Sequence, residues 1–181
     1  VMATSGGQKL SNEVEVKVID IDSQKLIEKL EALGAERVKD QDLYAEYYDF
    51  EDKRLKENKQ YVRLRKEGEK TIFGYKRMIS DIGVKEMEEL ETAVDDFEKA
   101  KQILEALGLS PIKVYTKHRI SYRYKNALLE FDAFQEIPTF MEIEAVNKDE
   151  IFAIADELGI TKEQIKPWKT SDVFRHYGVK R

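Results

Sequence analysis

The sequence predicts an α+β fold in which an antiparallel sheet curls on itself and carries its helices outside. Three observations support it. Segment after segment alternates charged and apolar residues with a period of two, as strands with unlike faces do. Three amphipathic stretches of helical period each stop at a leucine–glycine pair: Leu33-Gly34, Leu107-Gly108 and Leu158-Gly159. The polar strand faces are almost purely ionic and carry both signs, where an ordinary solvent face mixes in Thr, Ser and Gln. The helices need an apolar surface to cover, and the apolar strand faces supply it. Alternation alone does not say which face is inside. If the sheet curls with its helices outside, the ionic face lines the interior, and about eight strands close a barrel with room for one small ligand.

The elements follow in order. "EVEVKV" at 13–18 places Val14, Val16 and Val18 on one face of a strand over about 12–20, with three β-branched residues favouring extension. Asp22 caps a helix over about 23–33, with Leu26, Ile27, Leu30 and Leu33 on one stripe. An extended, tyrosine-rich stretch covers 36–50, and "EDKRLKENK" reads as a solvated loop. Strands at 60–67 and 70–77 form a hairpin around "EGE". A strand over about 84–94 precedes a helix near 96–107, capped by Asp95 or Asp96. Strands at about 112–125 and 127–135 are joined by "KNA". Pro138 breaks the chain before a strand at 140–147 and a helix at 149–158, and the tail reads as irregular to helical. "LEALG" occurs at both 30–34 and 104–108, each time after an acidic strand, and "DELG" ends a third such unit.

Composition narrows the function. Apolar residues make up 41% of the chain, enough for a core, and no apolar run is long enough to span a bilayer. The 181 residues suit a single domain over 12–181, after a small, polar, flexible leader at 1–11 that has the look of an expression remnant. No secretory h-region is visible, so the cytoplasm is the expected compartment. The absence of cysteine excludes disulfides, thiolate metal sites and a cysteine nucleophile, and two histidines do not make a histidine-rich zinc site. The net charge of −5 and the spread of basic residues over many strands argue against nucleic acid as a partner.

The ionic faces are specific. Glu13, Glu15 and Lys17 share one face of the first strand. Arg63 and Arg65 alternate with Val62 and Leu64; Lys76 lies with Gly74 and Ile72. Glu89 and Glu91 form the next face, then Lys117, Arg119, Ser121 and Arg123, then Glu130 with Asp132, then Glu142 with Glu144. Basic residues on several walls suit a polyanion, and clustered carboxylates suit the cations that neutralise it. Such a lumen must be wet, internally paired or filled by ligand, because unpaired buried charge is costly. Arg63 and Arg65 can merely pair with Glu89 and Glu91 across the sheet or also meet a polyanion, and both readings hold together, since an empty lumen needs internal ion pairs. His118 falls on the apolar face of its strand and reads as a packed or capping residue. Tyr44, Tyr47 and Tyr48 read as core or rim, with one free to face the interior. Trp168 reads as a packing anchor for the tail.

In this order the segments resemble the CYTH proteins, also called triphosphate tunnel metalloenzymes. Glu13, Glu15 and Lys17 match the E-x-E-x-K signature. "YVRLRK" resembles the R-x-R strand, "GYKR" the lysine strand and "EELET" the acidic strand after it. "KHR" at 117–119 is similar to the K-x-R element, "EFD" at 130–132 to the aspartate strand and "FMEIEA" at 140–145 to the closing E-x-E. The resemblance covers about residues 12–147. It implies an eight-stranded antiparallel closed barrel, a tunnel, with helices packed outside. It also implies an enzyme dependent on Mg²⁺ or Mn²⁺ that binds a triphosphate, as do class IV adenylyl cyclases, thiamine triphosphatases and inorganic triphosphatases.

By position, Glu13, Glu15, Glu142 and Glu144 become metal ligands, with Asp132 and Glu91 as supports. Lys17, Arg63, Arg65, Lys76, Lys117 and Arg119 become triphosphate contacts. Glu15, Lys17 and Asp132 form the implied catalytic set. The implied partner is tripolyphosphate, ATP or thiamine triphosphate, and the protein is expected as a monomer or homodimer without membrane association. Two features depart from the pattern: "AFQEIPTF" has Pro138 where many members have a glycine turn, and "KPWKTSDVF" matches the usual ending only loosely, at Lys169. Hydrolysis is the first expectation, because cyclisation demands a nucleoside pocket that no sequence feature marks. A module that binds polyphosphate or nucleotide without turnover is the other, though binding alone would not need so many carboxylates.

Overall fold

The computed structural model of the protein describes residues 11–180. The proposed leader therefore lies outside the described residues, except Ser11, which already belongs to the first strand. Eight strands build the barrel: β1 (Ser11–Val18), β2 (Glu36–Phe50), β3 (Gln60–Glu67), β4 (Lys70–Ser80), β5 (Lys85–Val94), β6 (Leu109–Tyr124), β7 (Ala127–Ala133) and β8 (Phe140–Ala145). Around the wall they run β5-β4-β3-β2-β6-β7-β8-β1, every pair antiparallel. β1 also pairs with β5, which closes the ring. A two-residue strand, β9 (Ile165–Lys166), pairs with Lys17 and Val18 where β1 runs past β5.

Helices α1 (Ser23–Ala32), α3 (Phe97–Ala106) and α4 (Lys148–Leu158) pack outside; α2 (Arg54–Glu57) and α5 (Thr170–His176) are short. Each long helix starts at a polar cap whose side chain accepts an N–H of the first turn: Asp22 from Lys25, Asp96 from Lys99 and Asn147 from Glu150. Each ends at its predicted glycine, with φ of +80° at Gly34, +88° at Gly108 and +77° at Gly159, a conformation that L side chains resist. The three acidic strand–helix units are thus real, and the closure of the ring puts their strands side by side as β8-β1-β5.

The apolar strand faces point outward, under the helices. Val14, Val16 and Val18 pack with Leu30 of α1 and with Ile151, Ile154 and Leu158 of α4. Full burial of such a side chain is worth roughly 1.5–3 kcal/mol. α3 covers Tyr48, Leu64 and Leu109 with Phe97 and Leu104. α5 sets Val173 and Phe174 against Ile19, Tyr115, Phe134 and Phe140 at one end of the barrel, and Trp168 packs there as the expected anchor.

Several bounds differ from expectation: β4 runs on to Ser80, and β1 and β8 end at Val18 and Ala145. β6 starts at Leu109, ahead of Pro111, because a register shift of β2 against it at Tyr47/Tyr48 falls where proline meets the ladder. The loop "EDKRLKENK" contains α2, whose first turn is held by Asp49: its carboxylate accepts the N–H of Leu55 at 3.0 Å and of Lys56 at 2.9 Å.

Candidate functional site

The ionic faces look into the lumen. Contacts that skip a strand show it, since only a concave surface allows them. Lys76 of β4 reaches Glu13 of β1 at 2.6 Å, past β5. Arg63 of β3 reaches Glu91 of β5 at 2.6 Å, past β4. Charge is segregated by strand. Most carboxylates come from the consecutive strands β7, β8, β1 and β5 and the arginines from β3 and β6, while the lysines are divided: Lys76 and Lys117 on β4 and β6, Lys17 and Lys85 on β1 and β5.

On the acidic wall, Glu15 faces Glu144 across the β1–β8 ladder. One carboxylate oxygen each of Glu13, Glu15 and Glu144 lie within 4.8 Å of one another. Burial, with Glu13, Glu142 and Glu130 close by, pushes the Glu144 carboxyl up to about 8. Three hard oxygen donors around one point, with too little cation nearby for Glu144, fit a divalent ion such as Mg²⁺ or Mn²⁺. Glu142 is placed differently from the four-carboxylate set implied by resemblance. It is ion-paired to Lys17, and although burial opposes its charge, Lys17 and Arg119 hold its carboxyl well below the usual range. Lys17 also reaches Glu15 at 3.2 Å. Burial and Glu142 push Glu15 up, but Lys17, Lys85 and Lys76 outweigh them and keep it ionised.

The basic wall is held by carboxylates. Arg63 and Arg65 share Glu91, as expected, and Arg63 also approaches Glu89 at 3.6 Å. Arg119 forks onto Asp132, its Nε and Nη2 donating at 2.6 and 2.7 Å, and its Nη1 donates to Glu130. Lys117 donates to Asp132 at 2.5 Å. Burial and the adjacent Arg119 push the Lys117 ammonium down, against the pull of Asp132 and Glu142. Gly74 gives Glu91 its place: a Cβ there would stand 3.1 Å from Glu91 Oε1.

The structure therefore gathers Glu13, Glu15, Lys17, Arg63, Arg65, Lys76, Glu91, Lys117, Arg119, Asp132, Glu142 and Glu144 in one lumen. Lys169 is not among them. It is exposed at the start of α5, its N–H donating to Asp172, because the helix turns it to solvent. His118 is not packed. Its side chain is 42% exposed, and Asp42 and Asp40 of β2 hold its two ring nitrogens at 2.8 and 2.9 Å, pushing its pKa up. Sequence reasoning missed Lys85, buried and ion-paired to Glu15, although it has the parity of Glu89 and Glu91. It left open which tyrosine faces inward. Tyr47 does, and although burial raises its phenol, Arg63 and Lys117 bring it below its ordinary value.

The comparisons agree with this geometry. A Methanocaldococcus jannaschii protein named "putative adenylate cyclase" is 28% identical over 162 residues, covering 84% of this chain and 93% of that protein. A solved protein of Pyrococcus horikoshii OT3 is 25% identical with a TM-score of 0.77, covering 89% of this chain and 98% of its own. A Hippeastrum "putative adenylyl cyclase", described as revealing a dominant triphosphatase activity, shares the fold with a TM-score of 0.66 at 17% identity, over 94% of this chain and 97% of that one. The family model described as "CYTH domain" matches residues 11–170, from the first barrel strand to the start of α5. With that match, and with the closed barrel and its ionic lumen, this chain belongs to the CYTH domain family.

Proposed function

We propose that the protein is a divalent-metal-dependent triphosphatase that hydrolyses an inorganic or organic triphosphate inside the barrel. The observation that carries this reading is the segregated lumen: the Glu13, Glu15 and Glu144 oxygens converge on one wall, and Arg63, Arg65, Lys76, Lys117 and Arg119 face them. Bound Mg²⁺ or Mn²⁺ would neutralise phosphate charge and orient a water for in-line attack at the terminal phosphorus. The chain supplies the rest. Arg63 and Arg65 present guanidinium forks to phosphate oxygens, in exchange for part of their hold on Glu91. Lys76, Lys117 and Arg119 add contacts from neighbouring strands. In the catalytic set, Glu15 brings charge to the metal position, Lys17 keeps Glu15 ionised, and Asp132 aims Arg119 and Lys117. Glu142 serves through Lys17.

A second reading, adenylyl cyclase making cyclic AMP from ATP, is favoured by the name of the Methanocaldococcus jannaschii relative. One assay separates them. Incubated with Mg²⁺ or Mn²⁺ and tripolyphosphate, ATP or thiamine triphosphate, the protein should release orthophosphate. Cyclic AMP with pyrophosphate would make it a cyclase. Tight binding of all three without turnover would make it a binding module.

A further inference from the structure

One carboxylate stands on the basic wall itself. Arg63, Arg65 and Glu67 alternate along one face of β3, so the row of cations ends in a negative charge. β3 and β6 both run away from the α5 end, which puts Glu67 at the opposite mouth. Its side chain is 12% exposed. One oxygen accepts from Lys39 Nζ of β2 at 2.8 Å. The other lies 2.5 Å from Arg65 Nε, an ion pair without hydrogen-bond alignment. Burial opposes the charge, but Arg65, Lys39 and Arg119 outweigh it and keep Glu67 ionised. The β3–β4 hairpin turns directly after it, with Glu67 opposite Lys70 and Gly68 at φ +58°. Further out, the other walls offer little free positive charge. On β6 the face passes from Arg119 to Ser121, which is fully buried and donates to Glu130. Lys39, the ladder partner of Ser121, is held by Glu67, and Arg123 is paired to Glu36.

We propose that Glu67 sets the length of phosphate chain the lumen accepts: it admits three phosphates and turns away a fourth. This rests on the triphosphate reading above. A triphosphate lying against Arg63, Arg65, Lys117 and Arg119 meets cations along the basic wall. A fourth unit at the Arg65 end advances along β3 toward Glu67, two residues or about 7 Å further on. There it meets a fixed like charge in a confined space, where repulsion is stronger than in bulk water. The carboxylate has little room to withdraw, with Lys39 and Arg65 on two sides and the hairpin turn behind it. Nor does the chain gain by shifting the other way. Toward α5 the lumen narrows to a cavity of about 20 Å³ against Phe134 and Thr170, room for a water and not for a phosphate. Selection therefore comes from a charge set against the longer ligand as well as from contacts to the shorter one.

The test measures kcat/KM for tripolyphosphate and for tetrapolyphosphate at fixed free Mg²⁺. The parent should prefer tripolyphosphate by about tenfold or more. Glu67→Gln should cut that ratio by about tenfold, chiefly by lowering the KM for tetrapolyphosphate, and Glu67→Asp, which keeps the charge, should restore most of it. Glu67→Ala, beside the hairpin turn, serves if Glu67→Gln does not fold. A residue that merely steadied Arg65 would change both substrates alike. Equal use of the two chains by the parent, or a ratio unmoved in the folded uncharged variants, would overturn the role of Glu67 alone. If only ATP or thiamine triphosphate is consumed, the inhibition constants of the two chains against it give the same ratio. Consumption of no triphosphate at all would overturn the triphosphate reading, and this inference with it.

Discussion

At Glu144, burial, with Glu13, Glu142 and Glu130 beside it, pushes the carboxyl up to about 8. The sign is that of a group whose folded state holds its proton too tightly. The stability this confers is present below the ordinary value of 4.5 and is lost as the pH rises toward 8. Glu144→Gln should therefore raise the melting midpoint of the metal-free protein by ~3 °C at pH 8, with a smaller gain at pH 5, as read by calorimetry. The same variant should lose at least about a hundredfold in turnover. Glu15 carries the opposite sign. It answers Lys17 and Lys85, so Glu15→Gln should lower both turnover and the midpoint. Glu91 titrates the other way: burial opposes its charge, but Arg65 and Arg63 hold it at about 2. Its contribution is present above 4.5 and is lost as the pH falls toward 2, so Glu91→Gln should flatten the acid limb of a stability profile.

At the scale of an element, β4 shows how one missing side chain shapes the lumen. A methyl group at Gly74 would press on the Glu91 carboxylate that Arg63 and Arg65 share. Gly74→Ala should push the Glu91 carboxylate aside by a few tenths of an ångström and spoil the alignment of Arg63, with Arg65 keeping Glu67, raising the KM for triphosphate severalfold while the far-ultraviolet spectrum stays that of the parent. This arrangement was half legible in the sequence. The alternation of Arg63, Arg65, Glu89 and Glu91 shows which residues share a face, and helix caps with glycine stops mark where strands hand over to helices. What period two does not contain is register. Nothing local to "KHR" says that Asp40 and Asp42 flank His118, and nothing local to "GVKEME" says that Lys85 meets Glu15. The tail was silent for another reason. β9 and α5 are too short to carry a periodic signal, and their positions come from residues distant in the chain: β9 pairs with Lys17 and Val18, and α5 packs on Ile19 and Phe140.

At the scale of the molecule, the two opposed walls make ligands interdependent. A divalent ion brings positive charge to the acidic wall and a triphosphate brings negative charge to the basic wall. Each alone leaves half the lumen uncompensated. In a thermal-shift experiment, Mg²⁺ and tripolyphosphate together should raise the midpoint by more than the sum of their separate effects. A combined shift equal to the sum would mean that the two sites act independently, and a smaller one that the ligands oppose each other; either overturns the expectation. The acidic wall has a further property, set by connectivity. β1 lies between β5 and β8, so Glu15 finds its ladder partner Glu144 well over half the chain length away. As the polypeptide leaves the ribosome, its first barrel strand must wait for its last. Until then, Val14, Val16 and Val18 and the charged Glu15 and Lys17 between them stand on an open edge that invites mispairing. The ring therefore shuts late, through contacts of high sequence separation, and the ion-binding corner comes into being only at that closing step.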